Sequence, residues 1–400
     1  TLSDPEIGDF AQPQMADLNR DGILEIMIPL QQPAGMLVLH GNDGTEYWRK
    51  TGLGKETYSS PVIADIDGSG YPTIFMASTD VYRGLKSTGR ITCLSYDGRI
   101  LHQTFAWRPC SGGLSIADTD GDGEFELYMG DRYMYLNTPE YGDNDYGKGV
   151  VSFWAKNLTE RWSRPDLFLS SHIPMLADVD GDGILDVIVG DLNGGVAVLN
   201  SADGSVIRKT VGIPNDAPVH YQPSVYDIDG DGNLEMLMAD AHNNTGDDII
   251  VWDLVEWKVD ARMYVGKNFY GPQVADVTGD GIMEIIATNY TGIFIFNRTY
   301  SLIANVTGLL GKLNYAVVQD IDGDGYSEVA VSSHSGRIYA YDTPARRPTP
   351  RPRSEVQFYS ERRLGAAEYI PPPGDPAPYV SASYPPNLGI NIPISLSQLS

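Results

Sequence analysis

A nine-residue loop rich in aspartate occurs seven times in this chain of 400 residues. Oxygen-bearing side chains stand at positions 1, 3 and 5, glycine stands at position 6, and position 9 is acidic in six of the seven copies. The copies begin at Asp17, Asp65, Asp118, Asp178, Asp227, Asp276 and Asp320, with spacings of 44 to 60 residues. A period of this length is typical of propellers and other repeat arrays.

Short apolar runs flank each loop. The loop at Asp178, for example, follows PMLADV and runs into LDVIVG, and the other copies have similar flanks. Runs of this length, rich in β-branched residues and bounded by turn residues, predict strands. We therefore expect an all-β protein in which each loop joins the two strands of a β-hairpin.

The loop pattern favours a hard cation. Alternating oxygen side chains on a tight turn converge on one point, and glycine at position 6 supplies the sharp bend. Ca²⁺ is the expected ion, but an EF-hand is excluded because its last acidic ligand stands at position 12 between helices. The alternative for any single loop is that Asp-Gly pairs simply make good turns. Seven copies in register favour the metal interpretation.

The charge of the chain supports the same interpretation. Positions 1, 3, 5 and 9 carry four carboxylates in four loops, three in two loops and two in one, which makes 24, against a formal net charge of −25. Without cations each loop would hold like charges close together, which is unfavourable. The second loop is the weakest candidate, because Ser69 and Thr73 replace carboxylates there.

The repeats resemble the FG-GAP type found in the integrin alpha-subunit β-propeller and in related secreted propellers. The resemblance covers roughly residues 10–343. It implies a seven-bladed β-propeller over residues 1–343, with four antiparallel strands per blade and a calcium loop between the first and second strands. It also implies that the position-7 ligand is a backbone carbonyl and that about six or seven Ca²⁺ ions bind.

The predicted metal ligands are the residues at positions 1, 3, 5, 7 and 9 of each loop. They are Asp17, Asn19, Asp21, Ile23 and Glu25; Asp65, Asp67, Ser69, Tyr71 and Thr73; Asp118, Asp120, Asp122, Glu124 and Glu126; Asp178, Asp180, Asp182, Ile184 and Asp186; Asp227, Asp229, Asp231, Asn233 and Glu235; Asp276, Thr278, Asp280, Ile282 and Glu284; and Asp320, Asp322, Asp324, Tyr326 and Glu328.

Several features predict an extracellular or cell-surface protein. Calcium loops of this kind fill where the ion is abundant. Five Asn-x-Thr sequons make the chain a candidate glycoprotein, at Asn157, Asn243, Asn289, Asn297 and Asn305. Cys93 and Cys110 are the only cysteines, and we expect both in the second blade, either as a disulfide or as two buried thiols. The chain shows no signal peptide, so we expect it to begin after processing.

Two partner classes are excluded by composition. With 28 Lys and Arg against 53 Asp and Glu, the chain has no cationic stripe for nucleic acid. No apolar stretch is long enough to span a bilayer. Insertions are predicted at residues 78–89, 131–149 and 240–248, on the face opposite the calcium loops. The second of these carries four tyrosines, which either form a contact surface for protein or sugar or simply pack the loop onto its neighbours.

The chain from residue 344 to 400 has a different composition, with 12 prolines in 57 residues. Such a composition predicts an extended tail. Residues 354–360 are a candidate outer strand for the seventh blade. Near the end, Ile390, Ile392, Ile394 and Leu396 alternate with polar residues, which predicts an amphipathic strand. That strand is a candidate for β-strand addition to another subunit, and folding back onto its own propeller is the alternative.

Three functions remain open from the sequence. The first is a structural, adhesion or assembly protein whose C-terminal arm engages a partner or a neighbouring subunit in an oligomer or filament. The second is a lectin-like propeller that binds carbohydrate. The third is a polysaccharide lyase, because some pectic lyases use similar propellers. The six histidines lack metal-ligand spacing and no nucleophile elbow is present, so we predict no catalytic residues and favour a protein that is not an enzyme.

Overall fold

The computed structural model describes residues 13–57, 59–80, 88–107, 109–131, 149–167, 173–190, 195–210, 223–239, 248–266, 271–319, 325–333, 335 and 337–346. Within these ranges all regular structure is β-strand. The strands form seven antiparallel sheets, each with its strands in chain order. This confirms the predicted all-β fold with seven blades, and the sheets are called blades one to seven below.

The first four blades belong to one compact unit of the chain. Blade one holds β1 (Gln14–Ala16), β2 (Glu25–Leu30), β3 (Ala34–Leu39) and β4 (Glu46–Gly54); blade two holds β5 (Val62–Ala64), β6 (Thr73–Thr79), β7 (Thr88–Leu94) and β8 (Ile100–Trp107); blade three holds β9 (Pro109–Ala117), β10 (Glu126–Asp131), β11 (Val150–Trp154) and β12 (Glu160–Arg164); blade four holds β13 (Met175–Ala177), β14 (Asp186–Gly190), β15 (Val196–Leu199) and β16 (Val206–Lys209).

The last three blades belong to the second compact unit. Blade five holds β17 (Ser224–Tyr226), β18 (Glu235–Ala239), β19 (Asp248–Asp253) and β20 (Lys258–Tyr264); blade six holds β21 (Gln273–Ala275), β22 (Glu284–Thr288), β23 (Gly292–Phe296) and β24 (Leu302–Thr307); blade seven holds β25 (Leu313–Gln319), β26 (Tyr326–Ser333) and β27 (Ile338–Arg346).

Burial follows the position of a strand in its blade. In blade four every residue of β14 and β15 is buried, whereas β16 is mostly exposed. Strands buried on both faces read as continuous apolar runs rather than alternating ones. Apolar side chains of neighbouring blades form shared clusters, such as Phe75 and Ile91 of blade two with Leu114 and Leu127 of blade three. These clusters hold the sheets face to face within each unit.

Each metal loop lies where the sequence places it, between the first and second strands of its blade. Residues 17–24, for instance, connect β1 to β2, and residue 25 pairs with Ala16 across the hairpin. At the other end of the chain, β27 continues to Arg346, three residues past the domain boundary predicted after residue 343. The candidate strand at residues 354–360 and the C-terminal amphipathic strand lie outside the described residues.

The cysteines depart from their prediction. Cys93 is a buried free thiol in β7, paired across the sheet with Phe75 and His102. Cys110 belongs to β9, the first strand of blade three, and not to blade two as expected. Burial raises the pKa of Cys93 to about 12, which makes it an unreactive core residue. Of the two alternatives that the sequence left open, a disulfide and two buried thiols, the structure shows the buried thiol at Cys93.

Candidate metal centres

Six of the seven loops are described completely, and they share one hydrogen-bonding pattern. In each, the glycine N–H at position 6 donates to Oδ2 of the first aspartate at 2.7 to 3.1 Å. The donors are Gly22, Gly70, Gly123, Gly183, Gly232 and Gly281. This bond closes the turn. The other oxygen of position 1, Oδ1, accepts from the N–H of position 4 in loops one, four, five and six, and it lacks a hydrogen-bond partner in loops two and three.

The backbone shape of the loop explains its glycines. Position 6 has a left-handed φ in every described copy, for example 88° at Gly183 and 95° at Gly232. An L-residue with a side chain pays about 1 kcal/mol or more to adopt this conformation, so glycine is required. Position 4 is also left-handed, and there loop one carries Arg20 at a φ of 66° where the other described loops have glycine.

The ninth position closes the site from the strand side. Its carboxylate accepts a hydrogen bond from the backbone N–H of position 2, at 2.8 Å for Glu25 and 2.7 Å for Glu235. These side chains are almost fully buried, with exposed fractions of 0% for Glu126 and Glu235 and 4% for Asp186. Second-strand residues therefore present a buried carboxylate to the described loops other than loop two, where Thr73 stands at position 9.

Two carboxylates at position 1 and two at position 9 each carry a buried oxygen that lacks a hydrogen-bond partner. The atoms are Oδ1 of Asp65, Oδ1 of Asp118, Oε1 of Glu126 and Oε1 of Glu235. Leaving a buried acceptor unsatisfied costs about 1 to 3 kcal/mol, and more for a charged group. A cation bound between positions 1 and 9 would satisfy such atoms, so the residues present fit a calcium ion.

The distances between the carboxylate oxygens also suit a calcium ion. In loops three, four and five, three carboxylates offer oxygens that all lie within 4.8 Å of one another. Ca²⁺ binds oxygen at about 2.4 Å, so two ligands on opposite sides of the ion stand about 5 Å apart. The three groups are Asp118, Asp120 and Asp122; Asp178, Asp180 and Asp186; and Asp227, Asp229 and Glu235.

The raised pKa values of the position-9 carboxylates also favour a bound cation. Burial, reinforced by the neighbouring aspartates, raises the pKa of Asp186 to about 7, that of Glu284 to about 7 and that of Glu235 to about 8. Burial likewise raises the pKa of Glu25 and Glu126. Without a cation, ionisation adds a charge to a buried acidic cluster, so Asp186, Glu235 and Glu284 hold protons up to near neutral pH. A divalent ion stabilises the ionised form.

Loops one and six replace one carboxylate with a neutral side chain. Asn19 Nδ2 donates to Asp21 Oδ2 at 3.0 Å and to Glu25 Oε1 at 3.2 Å. Thr278 Oγ1 donates to Glu284 Oε1 at 3.3 Å. Both side chains also offer an oxygen to a cation, as their prediction as ligands requires, and both bring position 3 into contact with position 9.

Loop two differs from the rest. Arg20 extends from loop one and donates from Nη1 to the carbonyl of Ser69 at 3.3 Å, and its guanidinium lies 5.4 Å from the centre of the Tyr71 ring. A positive side chain therefore already stands at the loop with the fewest carboxylates. The weak occupancy expected of loop two stays a prediction.

The structure describes only some of the predicted ligands at position 7 and in loop seven. The side chains of Ile23, Tyr71 and Ile282 are each 37% exposed, so any contribution of theirs to a site comes from the backbone. In loop seven, Glu328 is buried in β26, with an exposed fraction of 4%. Asp320, Asp322 and Asp324 lie outside the described residues, so their convergence stays a prediction.

The sequons fall into two groups. Asn157 and Asn305 are exposed, whereas Asn289 donates from Nδ2 to the carbonyl of Val265 at 2.7 Å. At Asn157 and Asn297 the side-chain oxygen accepts from the N–H of the threonine two residues on, which is an Asx turn in the hairpin between the third and fourth strands. Turn chemistry therefore accounts for these two motifs without a glycan. Asn243 and the three predicted insertions lie largely outside the described residues.

The sequence missed three groups beside loop five. Asp253 and Asp260 lie with Glu235 in a further carboxylate cluster, and Tyr300 comes close to it from blade six. Asp253 ends β19 directly opposite Glu235. A strand-register argument from the sequence would have found that pair, whereas Asp260 depends on a β-bulge in β20.

Among the residues that the structure describes, no helix is long and apolar enough to cross a membrane.

Comparisons with known proteins find one matching family model and several similar structures. Residues 178–238, which contain loops four and five, match the model of the FG-GAP-like repeat. The whole sequence has no match among curated proteins. Among solved structures, Sqt1 of Saccharomyces cerevisiae aligns with a TM-score of 0.59 at 15% identity, covering 82% of this chain and 83% of that one.

Two further structures are similar. The quinohemoprotein alcohol dehydrogenase of Comamonas testosteroni aligns with a TM-score of 0.56 at 12% identity, over 84% of this chain and 67% of that one. The biofilm matrix protein Bap1 of V. cholerae has a TM-score of 0.48 at 15% identity, over 85% and 89% of the chains, which is too low to carry an argument. Identities this low establish a shared fold and no activity. The chain has the β-propeller fold, and its residues 178–238 match the FG-GAP-like repeat model.

Proposed function

We propose that this protein is an extracellular, calcium-stabilised propeller with a structural, adhesive or assembly role, and that its C-terminal arm engages a partner or a second copy of the chain. The observation that carries the proposal is the repeated loop in which a buried ninth-position carboxylate faces the first aspartate. In loop three both ends of that pair, Asp118 Oδ1 and Glu126 Oε1, lack a hydrogen-bond partner.

In this proposal, calcium bound at the loops raises the free energy of unfolding of the folded chain. An ion that binds only the folded chain adds RT ln(1 + [L]/Kd), which is about 1.4 kcal/mol per site at ten times Kd. Six sites of that kind would add several kcal/mol, comparable with the whole stability of an ordinary domain. Extracellular calcium modules have Kd values of about 0.1 to 1 mM, so such sites fill outside cells.

The raised pKa values have a structural explanation in this proposal. Perturbed carboxylates in a cleft often mark catalytic acids and bases. Here they belong to Asp186, Glu235 and Glu284, which are at most 4% exposed and whose oxygens face the loops rather than open solvent. A polymeric substrate has no route to them. Their position favours metal ligation over catalysis.

The first test compares the thermal melting of the calcium-loaded and calcium-stripped chain, with unfolding monitored by circular dichroism. We expect stripping to lower Tm by more than 10 °C, because several sites lose their ions together. Magnesium at the same concentration is the control, and it should restore little, since it binds flexible all-protein sites poorly. An unchanged Tm after stripping would overturn the calcium role.

The arm is tested in the full chain by light scattering in calcium. Ile392→Asp with Ile394→Asp places charges on the apolar face predicted for the terminal strand, while Asn391→Asp with Ser395→Asp places them on its polar face. We expect the wild type and the polar-face variant to assemble and the apolar-face variant to stay monomeric. A monomeric wild type would contradict the assembly role, and saturable glycan binding by that monomer would favour the lectin function instead.

A further inference from the structure

Blade five contains a second group of carboxylates beside its metal loop. Glu235, Asp253 and Asp260 offer oxygens that all lie within 4.8 Å of one another. Glu235 and Asp253 are only 0% and 1% exposed, and Asp260 is partly buried. Asp253 and Asp260 stand outside the nine-residue loop, so its pattern does not account for them.

Two buried polar atoms next to this group lack partners. Oε1 of Glu235 accepts no hydrogen bond, although its Oε2 accepts from Ile228 N–H at 2.7 Å. The hydroxyl oxygen of Tyr300 is also buried without a partner. The charges of Glu235, Asp229 and Asp260 act on Tyr300 and, together with burial as the largest cause, raise its pKa. A fully buried carboxylate oxygen without a partner, with a second unpartnered atom on the nearby Tyr300, indicates a missing ligand at this carboxylate group.

The equivalent place in blade three is occupied by a positively charged side chain. Arg161 stands at the β-bulge of β12, as Asp260 does in β20, and Trp154 stands opposite Glu126 as Asp253 stands opposite Glu235. The Arg161 guanidinium lies over the Trp154 ring at 4.4 Å, with Nη1 3.9 Å from Glu126 Oε1. Blade three thus supplies its own cation, whereas blade five puts two acids in those positions.

The local charge in blade five is large. Loop five and the added group together hold six carboxylates, from Asp227, Asp229, Asp231, Glu235, Asp253 and Asp260. Lys258 reaches Asp260 from outside, with Nζ 3.5 Å from Oδ1, but its side chain is 54% exposed and also pairs with Glu256. Solvent screens a charge so exposed. One divalent ion in the loop together with Lys258 leaves half of the negative charge uncompensated.

Tyr300 is positioned for this role by the neighbouring turn. It has a left-handed φ of 62° at the hairpin position where blades two and four have Gly98 and Gly204. It packs against the apolar cluster that blades five and six share. Its hydroxyl can donate to a carboxylate or to a water bound to an ion.

We propose that Glu235, Asp253 and Asp260 form a second divalent-cation site in blade five, with Glu235 bridging it to the loop site and the Tyr300 hydroxyl beside it. Carboxylates commonly bridge two divalent ions that lie about 4 Å apart. Blade five then holds a pair of ions where the other described blades hold at most one. The inference rests on the proposed calcium binding at loop five.

The test counts bound calcium per chain by native mass spectrometry of the full protein, compared across variants. Asp260→Asn and Asp260→Arg should each bind one ion fewer than the wild type. Asp260→Arg copies Arg161 of blade three and should also melt at a higher temperature than the wild type when both are stripped of calcium, because the guanidinium replaces the missing ion. The matched control is Ile207→Asn at the same bulge position of blade four, which should keep the wild-type count.

The outcomes separate the two proposals. If Asp260→Asn and Asp260→Arg both keep the wild-type number of ions, the second site is overturned while the loop sites stand. If the wild type itself binds no calcium, the proposed function falls and this inference falls with it. Should one Asp260 variant fail to fold, the count for the other still decides.

Discussion

Trp162 of blade three lies directly over Gly204 in a hairpin turn of blade four, and its Nε1 donates to the carbonyl of Ser201 at 2.8 Å. A methyl group in place of the glycine hydrogen would stand 2.5 Å from Cε3 of the indole. Trp48 of blade one meets Gly98 of blade two in the same way, with a hydrogen bond to the carbonyl of Tyr96. Indole and glycine thus fit one blade onto the next.

We predict that Gly204→Ala destabilises the protein by about 2 to 4 kcal/mol. The left-handed φ of 72° contributes about 1 kcal/mol, and the clash with Trp162 adds an overpacking cost of about 1 to 3 kcal/mol. Urea unfolding measures the loss. Gly44→Ala is the matched control, since Gly44 has a φ of 71° and open space around it. Equal losses for the two variants would show that the indole contact has no energetic role.

The carboxylates at position 9 give a pH prediction for the calcium-stripped chain. The pKa of Asp186 and of Glu284 rises to about 7 and that of Glu235 to about 8 in the folded state, against about 4 when unfolded. Between these values the folded chain binds more protons than the unfolded chain. Its stability is therefore highest below about pH 4 on account of these groups and falls as the pH rises toward 8.

Urea unfolding at pH 5, 6, 7 and 8 in calcium-free buffer measures this fall. Glu235→Gln should make it shallower, because the variant removes the group with the largest rise. In saturating calcium the trend should reverse, since the ion displaces protons and binds the ionised loops. A calcium-free stability that increased over this range would contradict the assignment.

A pair of matched variants tests which loops bind. Asp180→Asn in loop four should bind one calcium ion fewer per chain, because Asp180 belongs to a group of three converging carboxylates. Asp67→Asn at the same position of loop two should leave the count unchanged, because Arg20 already lies against that loop. Native mass spectrometry measures both. A loss of one ion from Asp67→Asn would show that loop two is a working site.

The sequence predicts the loops well because their chemistry is local. Aspartate at position 1 and glycine at position 6 meet within one turn, as Asp178 and Gly183 do, so their spacing alone sets the contact. Contacts that cross between strands or blades are harder to predict. Asp260 reaches Glu235 through a bulge in β20, and Arg20 reaches loop two from the neighbouring blade. No pattern within one repeat contains that information.

The boundary between blades two and three was also difficult to predict from the sequence. β8 ends at Trp107 and β9 begins at Pro109, so a single residue separates blade two from blade three. With so short a connection, composition gives no signal that one blade has ended, which is why Cys110 was expected in blade two. At the end of the chain, β27 continues to Arg346, past the boundary predicted after residue 343.

Arg161 gives the last prediction, because it lies beside Glu126, the carboxylate that we also propose as a cation ligand of loop three. Its side chain is 8% exposed, and Nη1 contacts Glu126 Oε1, Ser152 Oγ and the carbonyl of Ser201. Arg161→Met keeps the apolar stem and removes the charge. We expect a loss of about 2 to 4 kcal/mol in calcium-free buffer, because Glu126 is left buried without a counter-charge.

In saturating calcium the same variant should lose less, since an ion in loop three also neutralises Glu126. Arg49→Met is the control: the Arg49–Glu46 pair is exposed, at 3.3 Å, and its loss should cost at most about 1 kcal/mol under either condition. Urea unfolding with and without calcium measures all four values. If Arg161→Met lost the same stability in both conditions, Arg161 and the cation would not act on the same carboxylate, and loop three would have to bind its ion without Glu126.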